Sequence, residues 1–161
     1  MNRDLTTFIR SLKSRPAKWI VLMLFSGGEV SKYNEPVRGR TRLTKEIFLF
    51  QSMEPSVDVK YDFKPYDYGP FAQPLLSDLE ELLASGLVQA DDSQARGLYS
   101  LTPGGVELAK SLWDSEPEKI RRRIFDVKVR FNRMPLAALL SYVYDRYPRF
   151  AEKSVYEPPE E

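Results

Sequence analysis

LLASGLVQADDSQARGLYSLTPGG, residues 82–105, carries the most structural information in the chain. Leu87-Val88-Gln89-Ala90 and Leu98-Tyr99-Ser100-Leu101 have the composition of two short strands, and the polar segment from Asp91 to Gly97 reads as the tip of a β-hairpin between them. Gly86 is placed to stop a preceding helix in the left-handed conformation that glycine adopts at little cost. Thr102-Pro103 opens a following helix, with a hydroxyl to cap it and proline in the first turn. Val106, Leu108, Ala109 and Leu112 supply the apolar side of that helix. Asp91-Asp92 lacks the alternating oxygen ligands and late glutamate of a calcium loop, which leaves a turn.

Working back from the hairpin, Leu75, Leu76, Leu79, Leu82 and Leu83 form a strong helical stripe. Pro74 belongs in the first turn of such a helix, which predicts regular structure from Gln73 or Pro74 to Ser85. Before it, Pro65 to Pro70 reads as a turn. Val57, Val59, Tyr61 and Phe63 alternate with Asp58, Lys60 and Asp62, the period of a short edge strand with one buried face. Thr41 to Met53 reads as a helix, with Thr41 or Thr44 available to cap it and Leu43, Ile47 and Phe50 at helical spacing.

At the start of the chain, Leu5, Phe8, Ile9 and Leu12 mark an amphipathic helix. A second helix restarts at Pro16 and runs through Trp19, Ile20, Leu22, Met23 and Phe25 to a stop at Gly27-Gly28. It is apolar on most sides, so it belongs at the centre of the core. Glu29 to Arg40 reads as a polar loop. The order helix, helix, strand, helix, hairpin predicts a mainly α protein with a small β-hairpin (α+β): a winged helix-turn-helix-like core over residues 16–113, with extra helices at both ends.

Beyond Pro117, Ile120, Ile124, Val127 and Phe131 stripe a further helix. Residues 119–133 hold seven Lys and Arg against the single Asp126, a local net of +6 in a chain whose total is +1. Met134-Pro135 breaks that helix, and Leu139, Leu140, Val143 and Tyr144 line another. A helical extension over 117–154 completes a single domain over 1–154, and 155–161 is an acidic tail.

Composition narrows the chemistry. The chain has 161 residues, enough for one domain, with no cysteine and no histidine. Disulfides, Cys- or His-based zinc sites, Ser-His and Cys-His dyads and histidine proton shuttles are thereby excluded. Gly27-Gly28 and Gly104-Gly105 lack the spacing and the Lys-Ser/Thr of a phosphate loop. No carboxylate, lysine or serine constellation stands out, so the expectation is a protein that is not an enzyme and needs no metal or cofactor. No apolar run reaches the length of a membrane span, and the first dozen residues are unlike a secretory leader. A cytoplasmic protein is expected.

Three segments together resemble a known group: GRTRLTKEIFLFQ (Gly39 to Gln51), YDFKPYDYGPFAQPLLSDLEELLASGLV (Tyr61 to Val88) and LLSYVYDRYPRFAEKS (Leu139 to Ser154). The combination is similar to the YwgA-like family of prokaryotic proteins and, more distantly, to the SocA-like (Panacea) antitoxin domain. Tyr68-Gly69-Pro70-Phe71 is the most specific part. The resemblance implies a compact helical domain with a winged-helix-like core, in toxin neutralisation or other defence and regulatory settings. The chain departs from the antitoxin pattern at Ile47-Phe48 and in its basic C-terminal helices.

Two functions stay open at this point. One is a DNA-binding regulator using Arg38, Arg40, Arg42, Lys45, the wing residue Arg96 and the basic helix with Arg121, Arg122, Arg123, Lys128 and Arg130. The helix from Pro70 to Gly86 does not help it. That helix has Asp78, Glu80 and Glu81, expected to face water, and no Lys or Arg with which to meet phosphates or base edges. The other is an interaction module for a partner protein or a second copy, for which an acidic and a basic helix on one near-neutral chain are suited.

Overall fold

The computed structural model describes residues 3–155, so the expected acidic tail lies, Val155 apart, outside the described residues. Helix α1 (Arg3–Ser11) leads through a 3-10 turn (Leu12–Ser14) to α2 (Lys18–Phe25). Then follow β1 (Val37–Arg38), α3 (Arg40–Met53), β2 (Lys64–Tyr66), β3 (Gly69–Phe71), α4 (Gln73–Ala84), β4 (Val88–Asp91) and β5 (Leu98–Leu101). Helices α5 (Pro103–Ser115), α6 (Glu118–Phe131) and α7 (Leu136–Arg146) and a 3-10 turn (Pro148–Ala151) close the chain. The protein is mainly helical with two small antiparallel sheets, an α+β fold. One sheet has the order β1-β5-β4 and the other pairs β2 with β3.

Helix α2 is the axis of the core. Every residue from Lys18 to Leu24 is buried, and the helix packs against α3, α5, α6 and β5. A helix enclosed on all sides cannot release its C-terminal carbonyls to water, so each needs a partner inside the protein. Leu22 O accepts from Ser26 N–H and Phe25 O from Asn34 N–H. The carbonyls of Met23, Leu24 and Ser26 are all met by one group, the Lys128 ammonium of α6. Three donors on one nitrogen suit this task, and the residue is fully buried.

The hairpin follows the sequence: Val88 pairs with Leu101 and Asp91 with Leu98, and the Thr102 hydroxyl caps α5 by accepting from Gly105 N–H at 3.1 Å. Strand β1 adds to the far side of β5, Val37 opposite Tyr99. Beyond β1, the side-chain amide of Asn34 accepts from Leu101 N–H at 2.8 Å and donates to Leu101 O at 3.1 Å.

Three expectations are corrected. Residues 57–63 do not form a strand. Their alternation does bury Val57, Tyr61 and Phe63, but no neighbouring strand reaches them. The Gln51 side chain instead accepts from Tyr61 N–H and donates to Tyr61 O, and the Trp19 indole N–H bonds Val59 O. Pairing begins only at Lys64, where Pro65 to Pro70 is itself a hairpin with Tyr66 stacked on Phe71. Neither threonine caps α3. That helix starts at Arg40 behind Gly39 without a side-chain cap, and Thr44 Oγ1 donates back to Arg40 O. Finally, Asp78 does not face water: it accepts from Arg15 at 2.9 Å and from the Tyr61 hydroxyl at 2.6 Å, which ties α4 to the N-terminal segment.

Tyr68-Gly69-Pro70-Phe71 pins the small hairpin to the helices. Pro70 O accepts from the buried Lys45 ammonium of α3, and Gly69, at φ 93°, lies against the Tyr144 ring of α7 so closely that a Cβ there would sit 2.9 Å from it. No helix among the described residues is long and apolar enough to cross a membrane.

If Lys128 holds the end of α2, Lys128→Met should lower the unfolding free energy by roughly 2–4 kcal/mol, because it strands carbonyls that water cannot reach. Urea denaturation measures it; a loss below about 0.5 kcal/mol, the scale of an ordinary surface substitution, would contradict the assignment.

Candidate nucleic-acid interface

The cationic residues singled out from sequence divide into three groups once folded. Arg42, Lys45 and Lys128 are withdrawn from solvent, at 5%, 3% and 0% exposure, and are corrected from surface contacts to interior ones. Arg42 donates to Phe131 O at 2.7 Å, Lys45 to Pro70 O at 2.9 Å, and Lys128 closes α2. The reason is that α3 is enclosed by α2, α6, α7, β1 and β3, so its polar side chains have nowhere to go but inward.

The basic helix α6 is less basic than its composition suggests. Arg123 and Lys119 both pair with the buried carboxylate of Glu54, at 3.0 and 3.5 Å, and Arg122 pairs with Glu118 at 2.8 Å. Arg130 lies over the rings of Phe131 and Tyr142. Like Arg130, Arg121 has no ion pair among the described residues.

The third group comes together. Arg38 at the end of β1, Arg96 in the β4–β5 turn and Arg133 in the α6–α7 connection line one cleft of about 330 Å³, with Arg42 also contributing to its wall. A narrower cleft of about 230 Å³ continues it past Gly39, Arg40 and Thr41 at the start of α3. No carboxylate lines either. Arg38 donates to Ala95 O, which draws the β4–β5 turn toward β1. Arg40 leans away, bonded to the Tyr99 hydroxyl at 2.9 Å and paired with Glu80 of α4. Arg133 was not singled out from sequence beyond its part in the basic run. Its position two residues past the end of α6, before Met134-Pro135, was the available signal.

Gly39 makes the close approach possible. Its φ of 86° and ψ of 152° are accessible essentially to glycine alone, and a Cβ there would lie 3.2 Å from Arg96 Cβ. Arg96 itself has φ 65°, an uncommon choice for a long side chain, and its backbone is held by the Gly39 N–H to Gly97 O bond at 2.9 Å.

Beneath the cleft lies a buried polar cluster. Glu35 accepts from the amides of Val30 and Ser31 and from Asn132 Nδ2. Burial raises its carboxyl, but those bonds and the Lys128 charge outweigh it and leave it below the ordinary value. Glu46 is fully buried, and neither of its oxygens has a hydrogen-bond partner. Burial pushes its carboxyl up to about 8, against the pull of Lys128 and Arg42. Burial pushes Lys128 down to about 8 and Lys45 down to about 7. Arg42 is held below its usual value by burial, opposed by Glu46, with Arg96 and Arg38 adding like charge.

A separate cleft of about 470 Å³ is lined by Trp19, Leu112, Pro117 and the buried Lys18, whose ammonium is satisfied by Glu116 at 2.7 Å and Asp58 at 3.0 Å. Among known proteins, no family model and no curated sequence matches the chain.

The Glu46 environment has a pH consequence. Its folded pKa is raised, so between about 4.5 and about 8 the folded chain keeps a proton that the unfolded chain releases, and stability falls as pH rises through that window. Lys45 and Lys128 have lowered values and act in the opposite sense only above about 7 and about 8. The urea midpoint should therefore drop between about pH 5 and about pH 7, and Glu46→Gln should flatten that slope. A slope unchanged in the variant would place the titration elsewhere.

Proposed function

We propose that the chain is a non-enzymatic winged-helix regulatory protein that holds duplex DNA by its phosphate backbone, through arginines at the root of the wing. The topology supports the winged-helix reading. Helices α2, α3 and α4 with the hairpin β4–β5 follow the required order, and β1, lying between α2 and α3, pairs with the second strand of that hairpin. The hairpin β2–β3 is then an insertion between the second and third helices.

The observation that carries the DNA reading is the convergence of Arg38, Arg96 and Arg133 on one cleft without a carboxylate. Cations from three separate segments gathered beside the wing repel one another, and a phosphate backbone relieves that repulsion. Helix α4, the usual reader of bases in this architecture, is a poor candidate. Its exposed positions are Gln73, Pro74, Ser77, Glu80, Glu81 and Ala84, without a cation. The expected binding is accordingly salt-sensitive and weak in sequence preference, the character of an accessory or architectural regulator of transcription or defence.

A second reading, a module that binds a partner protein in the manner of a SocA-like antitoxin, draws on a different surface. Tyr66 and Tyr68 on the small hairpin are 54% and 51% exposed and line a shallow cleft with Thr41 and Leu76. Paired aromatics at that exposure suit a protein contact better than a phosphate backbone.

Retention on random duplex at two salt concentrations separates the readings. Reversing Arg38, Arg96 and Arg133 to Glu should abolish retention at low salt, whereas Arg121→Glu with Arg122→Glu should leave most of it. Conservative replacement of the first three by Gln should lower the slope of log affinity against log salt by about 2–3, one contact apiece. Retention equal to wild type in the reversed variant would sink the DNA reading. Loss of a co-purifying partner on Tyr66→Ser with Tyr68→Ser would favour the second.

A further inference from the structure

We propose that the cleft between the start of α3, the β4–β5 turn and the α6–α7 connection is a discrete binding site for one phosphate group. The DNA reading above would draw that phosphate from a nucleic-acid backbone, and to that extent the proposal rests on it. The site itself does not, because a free phosphate ion presents the same oxygens.

The backbone supplies the first half of the site. Helix α3 is 14 residues long, and its N-cap, Gly39, has no side chain to satisfy the free amides of the first turn. Those amides carry the positive end of the helix dipole, and the absence of a Cβ at Gly39 lets Arg96 pack directly against the helix start. Thr102 closes α5 with its hydroxyl, whereas α2, α4, α6 and α7 start without a side-chain cap as α3 does, and what sets the start of α3 apart is its surroundings. This one is left open and surrounded by arginines.

The side chains supply the second half, and one of them points to a ligand independently of the helix. Arg42 is 5% exposed and lines both parts of the cleft. One terminal nitrogen donates to Phe131 O, but its Nε is enclosed and has no acceptor. A buried guanidinium charge is costly, and an oxyanion in the cleft offsets it through the second terminal nitrogen, which is not enclosed and bonds no described residue. Arg96 and Arg133 are exposed and have no ion pair among the described residues, so their forks are free to close over the same anion. A tetrahedral phosphate offers oxygens in several directions at once, to the helix amides on one side and to Arg38, Arg96 and Arg133 on the other. A carboxylate, with two oxygens in one plane, would leave part of that set unused.

Sodium phosphate titrated calorimetrically into the full chain, at ionic strength held constant with chloride, tests the site. The expected result is saturable binding of one phosphate, weakened about tenfold or more by Arg96→Gln with Arg133→Gln and unchanged by Arg121→Gln with Arg122→Gln. Both altered pairs are at the surface, and a matching circular dichroism melt shows that they fold. As a second probe, the Arg42 Nε–H resonance should shift with the same saturation curve. No saturable binding, equal weakening by the control pair, or an Arg42 resonance that does not move overturns the site. The source is read by competition with a short duplex. Displacement of duplex by phosphate supports a backbone phosphate in the cleft. Phosphate binding that leaves bound duplex in place, or occurs with no duplex binding at all, supports a free-phosphate site and removes the DNA reading from this cleft. Duplex retention without phosphate binding does the reverse.

Discussion

The Lys128 ammonium, enclosed among the carbonyls of Met23, Leu24 and Ser26, is the contact on which the rest of the architecture depends. Helix α2 is short, apolar and surrounded, and burying it forces its C-terminal carbonyls away from water. A single cation reaching across from α6 answers three of them. That contact fixes α6 to α2, and α6 in turn carries Asn132, which bonds Glu35 and Pro36 O and so sets the path of the chain into β1. The C-terminal helices are thus part of the core and not an appendage to it. The cost is a charged group and a neighbouring carboxyl, Glu46, in the dry centre of the protein, each displaced in pKa toward its neutral form.

The same dependence explains the cleft. Phe131 O, near the end of α6, accepts from Arg42, so the position of α6 draws one arginine of α3 inward while Arg133, just beyond, stays outside. Arg38 and Arg96 are brought up from the other side by the β1–β5 pairing and by the contact at Gly39. Three segments far apart in sequence meet because the core places them. Helix α4 is anchored elsewhere, through Asp78 to Arg15 and Tyr61, and its carboxylates serve that anchorage more than any reading of bases.

The elements were largely legible in the sequence where their stabilisation is local or follows a simple period. The hairpin around Asp91 to Gly97, the cap at Thr102, the leucine stripe of α4 and the enclosed character of α2 all have that quality. Residues 57–63 misled because alternation reports which side chains are buried, not whether a strand lies alongside, and here the Gln51 amide takes the place of that strand. Lys128 was counted with the basic face, although its spacing from Ile124 and Phe131 sets it within the apolar stripe; a cation there was the sign that carbonyls awaited it. Helix α3 gave no such sign. Its sequence is polar and periodic enough for a surface helix, and only the packing of five other elements around it buries Arg42 and Lys45. The cleft could not be read in advance, since Arg133 joins Arg38 and Arg96 only through the fold.

The proposed reading, a winged-helix regulator that grips phosphates at the root of its wing while its third helix is tied to the protein's own N-terminal segment, differs from one that reads bases with that helix. Mapping the backbone amide shifts of the chain on adding a short duplex separates the two. The account predicts perturbations concentrated at residues 38–42, 95–97 and 132–134, with residues 73–84 unmoved. Shifts concentrated along residues 73–84, with the arginine cleft unaffected, would contradict it.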